Sequence, residues 1–170
     1  MAARAGARRS IATLAIAKMD RGAIATIVDQ ALDRLIAEQP TLLDLDVTER
    51  ALSHYLAQYV AALVPADYDV DVEYNRHFAS PKRLNLPPRQ ALDREIRATT
   101  VFPDILVHKR NTDKMNLLVL ELKKPGEDLA YDELKLRAFR NELGYPHTAH
   151  VILGRNGNGQ VIRQVTWVDG

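Results

Sequence analysis

The chain has 170 residues, 46% of them apolar and 26% charged, with a formal net charge of +1 and no cysteine. That length accommodates one domain with a sizeable core, and the near-neutral balance excludes a uniformly basic coat for nucleic acid. The lack of cysteine excludes disulfides, thiolate metal sites and cysteine nucleophiles, and it fits a reducing, cytoplasmic setting.

Charge is unevenly spread. Residues 22–73 hold ten acidic and two basic residues, whereas residues 74–124 hold eleven basic and five acidic. The basic segment suits a polyanionic ligand. No apolar run approaches the roughly 20 residues of a membrane span, so no membrane partner is expected. At the N-terminus, arginines precede a short apolar run from Ile11 to Ala17, which ends at Lys18 and Asp20 rather than at a small-residue cleavage site. This reads as a helix or a loose basic arm, not an export signal.

The first expected helix begins after Asp20, a good capping residue. Ile24, Ile27, Val28, Leu32, Leu35 and Ile36 recur at helical spacing, and Pro40 stops the helix. TLLDL is read as a connector. A second helix is expected in DVTERALSHYLAQYVAALVP, with Asp46 as N-cap and Glu49 three residues later, as in a capping box. Its apolar stripe is Leu52, Tyr55, Leu56, Tyr59, Val60 and Leu63. From Tyr68 to Tyr74 the pattern alternates. Tyr68, Val70, Val72 and Tyr74 share one face, and Asp69, Asp71 and Glu73 the other, as in a half-exposed strand.

Residues 77–97 have no strong period. Pro81, Pro87 and Pro88 interrupt them, and RQALDREIR is expected to form one short helix. A long connection inside a small domain is usually functional or mobile; this one carries Lys82, Arg83, Arg89, Arg94 and Arg97.

Two strands are then expected, near Thr99–Lys109 and Asn116–Lys123. In the second, Glu121 and Lys123 point the same way as Val119, while Leu118, Leu120 and Leu122 point into core. If the strands pair, Asp104 stands beside Glu121, which makes two carboxylates with an ammonium alongside. Pro125 and Gly126 end the strand. Asp128 is placed to cap a helix running to Gly144, with Leu129, Leu136, Phe139 and Leu143 buried. Asp132 lies on that stripe and Lys135 at its margin. AHVILGR and QVIRQVTWV form two final strands. RNGNG joins them as an Asn-Gly hairpin turn, not a phosphate-cradling loop, because no helix follows it. His54, His77, His147 and His150 show no metal-ligand spacing. This order of elements predicts an α/β fold, a central mixed sheet flanked by helices with an N-terminal helical extension.

Pro103-Asp104, followed by Glu121-Leu122-Lys123 on the next strand, resembles the signature of the PD-(D/E)XK nuclease superfamily. The order of elements is similar to the restriction-endonuclease-like core over about residues 46–153. The resemblance divides the chain into a basic arm and helix at 1–45 and a nuclease-like domain at 46–170. It implies Mg²⁺-dependent hydrolysis of phosphodiester bonds, with Mn²⁺ able to substitute, and a nucleic-acid substrate, DNA ahead of RNA. Asp104 and Glu121 would bind the metal, and Lys123 would hold or polarise the attacking water and stabilise negative charge. Glu49 would complete the metal site, a role that competes with its place in the capping box. Glu73 is a weaker candidate. Arg76, Lys82, Arg83, Lys124 and Lys135 are the expected nucleic-acid contacts, and Tyr145 either borders the cleft or packs. Dimerisation is one way for a single site to cut both strands. The alternative reading is a nuclease fold without chemistry, a module that binds nucleic acid or a protein partner.

Overall fold

The computed structural model describes residues 19–77, 80, 81, 83–86 and 99–169, and for residues 76, 77, 80, 81, 83, 99 and 100 the backbone alone. The basic arm, Lys82 and the helix expected in RQALDREIR lie outside the described residues, as do the side chains of Arg76 and Arg83.

Helix α1 spans Arg21–Glu38, capped by Asp20, whose Oδ1 accepts the Ala23 N–H at 2.8 Å. The expected connector is instead a one-turn helix, α2 (Pro40–Asp44). Pro40 is tolerated there because a first-turn N–H has no helical acceptor. Helix α3 spans Glu49–Ala61, and its N-cap is Thr48, not Asp46. Asp46 takes a left-handed backbone at φ 49, incompatible with the extended conformation of an N-cap. Thr48 has that conformation, and its hydroxyl accepts the Ala51 N–H. Glu49 is therefore the first helical residue rather than the third, and the capping box is not formed. Its carboxylate is available for other partners.

Strand β1 (Asp69–Val72) is followed by two small ladders. In one, β2 (Arg76–His77) pairs with β3 (Ser80–Pro81); in the other, β4 (Arg83–Leu84) pairs with β5 (Thr99–Thr100). The strand expected from Thr99 to Lys109 is thus split around Pro103, which has no N–H to give a ladder. Its second part is β6 (Ile105–His108). Strand β7 (Leu118–Lys123) pairs with β6 antiparallel. Helix α4 (Ala130–Leu143) then crosses over, and β8 (His147–Arg155) returns parallel to β7. Strand β9 (Val161–Trp167) pairs antiparallel with β8 through the expected hairpin. The central sheet is mixed, in the order β1-β6-β7-β8-β9. Gly144 closes α4 at φ 70, the left-handed cap conformation that glycine adopts without Cβ strain.

The sheet has two different faces. On one, Leu118, Leu120 and Leu122 join Ile105, Val107, Ala149, Val151 and Leu153 in a wholly apolar core under α1 and α3. Helix α1 contributes Ile24, Val28, Leu32 and Leu35 to that same core, so the core continues across residue 45 and α1 covers the sheet. On the other face Leu106 and Val119 pack against Leu136, Phe139 and Tyr145. Tyr74 joins this second cluster rather than Val70 and Val72, because Glu73 at φ 51 breaks the alternation after β1. Among the described residues no helix is long and apolar enough to cross a membrane.

Candidate active site

The second face carries the charges. Register places Ile105 against Leu120, so Asp104, one residue earlier, stands across from Glu121. Its Oδ2 accepts the Leu122 N–H at 2.7 Å, a side-chain substitute for the next ladder bond. Glu121 is 2% exposed on a strand whose neighbours are all buried. Its Oε2 lies 2.6 Å from Lys135 Nζ, reaching down from α4. Lys135 also sits 3.3 Å from Asp132 Oδ1 and 3.5 Å from the Phe102 carbonyl. Lys123, on the same face as Glu121, bridges two helices: its Nζ is 3.3 Å from Glu49 Oε2 and 3.2 Å from Asp132 Oδ2. Glu127 stands 3.8 Å away at the rim.

Of the expected site residues, Lys123 therefore touches Glu49, delivered by the first turn of α3 because Thr48 and not Asp46 caps it, and Asp104 lies within reach of its charge. Lys135, expected to touch nucleic acid, points inward instead. Lys124 alternates away from Lys123 and bonds to the Asp46 carboxylate at 2.8 Å. Glu73 pairs with Arg50. Tyr145 is fully buried edge-on to Phe139 and packs rather than lining an opening. His108 Nε2 donates to the Asp71 carboxylate at 3.0 Å, and Arg110 braces the same carboxylate.

Electrostatics follows from burial. Glu121 is pushed well above the ordinary carboxylate range by burial, with Lys135 pulling it back and Asp104 adding to the rise. Burial raises Asp104 as well, against the Leu122 N–H and Lys135. For Lys123 and Lys135 burial opposes the charge, but Asp132 with Glu49, and Glu121 with Asp132, outweigh it and hold both above the usual lysine value. Lys123 is thus a firmly charged donor as it stands, suited to stabilising negative charge and not to accepting a proton. Glu127 is raised by its contact with the Glu49 carboxyl, two acids drawn together on Lys123.

Among the described residues no three acidic or histidine side chains stand at a spacing that already holds an ion. Ammonium groups lie between the carboxylates. The donor set nevertheless fits a hard divalent cation. Glu49 Oε1 and Glu121 Oε1 are both buried with no hydrogen-bond partner. The inner cluster sets the carboxylates of Glu49, Asp104, Glu121 and Asp132 against the ammonium groups of Lys123 and Lys135. Carboxyl groups outnumber ammonium groups in this cluster, and oxygen ligands are those that Mg²⁺ and Mn²⁺ prefer. Asp104, Glu121 and Glu49 could hold it.

Two residues named from the sequence were given no place in the site there. Asp132 was visible on the α4 stripe but without its partners. His150 lies in register with Glu121 across the parallel β7–β8 pair and is 3% exposed. Burial lowers its pKa, against the pull of Asp132 and Glu133. Alternation along AHVILGR could have put His150 on one face, but the offset of a parallel crossover is not written in either strand. Comparison of the chain with protein-family models, with curated proteins and with solved structures returns no match.

Proposed function

We propose that this chain is a divalent-metal-dependent nuclease of the PD-(D/E)XK type that hydrolyses phosphodiester bonds, DNA ahead of RNA. The observation that carries the reading is the grouping of Asp104, Glu121 and Lys123 at one end of β7, with Glu49 bonding Lys123 across 74 residues of sequence. An exposed ion pair on an edge strand would need none of this: β7 is the central strand, and Glu121 is buried in it.

Asp104, Glu121 and Glu49 would hold the cation. A hard divalent ion supplies charge stabilisation and an activated water. The Leu122 N–H orients Asp104, and Lys135 offsets the cost of keeping Glu121 anionic in a buried setting. Lys123, charged and 14% exposed in its side chain, donates to negative charge building on the phosphate oxygens. Asp132 holds both lysines and sets their spacing.

The test uses purified protein with supercoiled and linear DNA and a matched RNA, with and without Mg²⁺ or Mn²⁺. Metal-dependent cleavage of DNA is expected, lost in Glu121→Gln and Lys123→Ala. Cleavage that survives both substitutions rules the roles out. A second reading, a nuclease fold that binds without cutting, draws on the interposed lysines, which neutralise part of the site internally. Nucleic-acid affinity with no Mg²⁺ or Mn²⁺ binding by calorimetry would select it.

A further inference from the structure

Three histidines are buried among the described residues, and they are not alike. His108 bonds Asp71 through Nε2, and His147 bonds the Met19 carbonyl through Nε2 at 2.8 Å. Each is tied to the fold by at least one nitrogen. His150 is as buried as His108, yet neither of its ring nitrogens has a partner. Buried polar groups in folded proteins are nearly always bonded, and one left over calls for a specific explanation. An inert core position would be better filled by leucine, which has no polar atoms to desolvate.

Its neighbour supplies the explanation. Glu121 and His150 are paired in the parallel register of β7 and β8, so their side chains leave the same face about one strand spacing apart, roughly 4.8 Å. Glu121 gives Oε2 to Lys135, and its buried Oε1 is unpartnered. An unpartnered carboxylate oxygen and an unpartnered imidazole therefore belong to register partners on the same buried face, with Asp132, Glu133, Lys123 and Lys135 around the ring. Both are metal-ligand atoms, and they are of different type.

We propose that His150 is a nitrogen donor of the candidate metal centre and that, with Glu121 Oε1, it makes a mixed oxygen–nitrogen seat favouring Mn²⁺ over Mg²⁺. This rests on the nuclease reading for the presence of an ion and goes beyond it in the ligand and the metal chosen. Mg²⁺ gains little from an imidazole in place of oxygen, whereas first-row transition ions bind nitrogen well. His147 and His108 cannot serve, since each already bonds a fixed oxygen at another place in the sheet.

The full chain is titrated with Mn²⁺ and with Mg²⁺ by calorimetry, and the Mn²⁺-loaded protein is examined by pulsed electron paramagnetic resonance for nitrogen coupling. Wild type should bind Mn²⁺ at least about ten-fold tighter than Mg²⁺ and show imidazole ¹⁴N modulation. His150→Leu should lose the modulation and about ten-fold or more in Mn²⁺ affinity, with Mg²⁺ affinity changed far less. Without metal it should melt at or above the wild-type temperature, the reverse of what removal of a structural histidine does. If His150→Leu does not fold, the wild-type spectrum and His150→Gln carry the same comparison. Mn²⁺ bound without nitrogen coupling, or with unchanged affinity in the variants, overturns the role of His150 and leaves the nuclease reading standing. No binding of either ion at millimolar concentration by wild type overturns both.

Discussion

Removing the Lys135 ammonium tests whether the buried charges are held as a unit. In Lys135→Met the side chain keeps its length and apolar stem, and Glu121, 2% exposed, loses a partner at 2.6 Å. Truncating one member of a buried ion pair costs about 3–5 kcal/mol. Here the loss has a ceiling, because Glu121 can take up a proton instead. From an unfolded value of 4.5, protonation at pH 7 costs about 3 kcal/mol, and at pH 5 less than about 1 kcal/mol. The sign follows from a folded pKa raised above the unfolded one. With the pull of Lys135 gone, the stability held by a protonated Glu121 is fully present below about pH 4.5 and is lost as pH rises toward the folded value, more in the variant than in wild type, where Glu121 is already raised. Urea unfolding followed by circular dichroism should therefore show a deficit of at most about 3 kcal/mol at pH 7, less the part wild type already carries, that shrinks below about 1 kcal/mol at pH 5. Adding Glu121→Gln to Lys135→Met should recover most of it. A deficit equal at both pH values, or a double variant no better than the single one, would refute the ion pair as the thing that holds Glu121.

Two further perturbations probe other parts of the fold. Asp71 is held at about 2 because hydrogen bonds from His108 and Arg110 outweigh the opposing effect of burial. Asp71→Asn should cost about 1–2 kcal/mol at pH 7, discounted because Arg110 is 51% exposed and screened. That contribution is present above about pH 3.8 and fades as pH falls through 2, so wild type and variant should converge in acid unfolding. Gly154 lies under Pro125, where a Cβ would meet the ring at 2.7 Å. Gly154→Ala should lower stability by about 1–3 kcal/mol through overpacking at the exit of β7, and a neutral effect in thermal melts would show that the β7–β8 end has slack.

Much of the site was legible because its logic is local. Alternation in LLVLELK separates Leu118, Leu120 and Leu122 from Glu121 and Lys123, and the structure has the leucines in one core and the charges on the opposite face. The stop at Gly144 and the RNGNG hairpin were equally readable, since each depends on the backbone freedom of a few adjacent residues. The reading of the α3 cap failed within the same range. Asp46 and Thr48 are both good capping residues, and the left-handed backbone at Asp46, where its carboxylate meets Lys124 just past the end of β7, leaves the cap to Thr48.

What the amino-acid sequence determined by itself was which residues share a face and where helices end, because side-chain period and capping act over one to four residues. Tertiary structure alone decided that α1 covers the sheet, that Lys135 turns inward onto Glu121, and that His150 stands beside Glu121 with both nitrogens unclaimed. Those placements follow from the offset of a parallel crossover and the seating of α3 and α4 on the sheet. They are settled by packing between segments distant in the chain, and no short stretch of residues contains them.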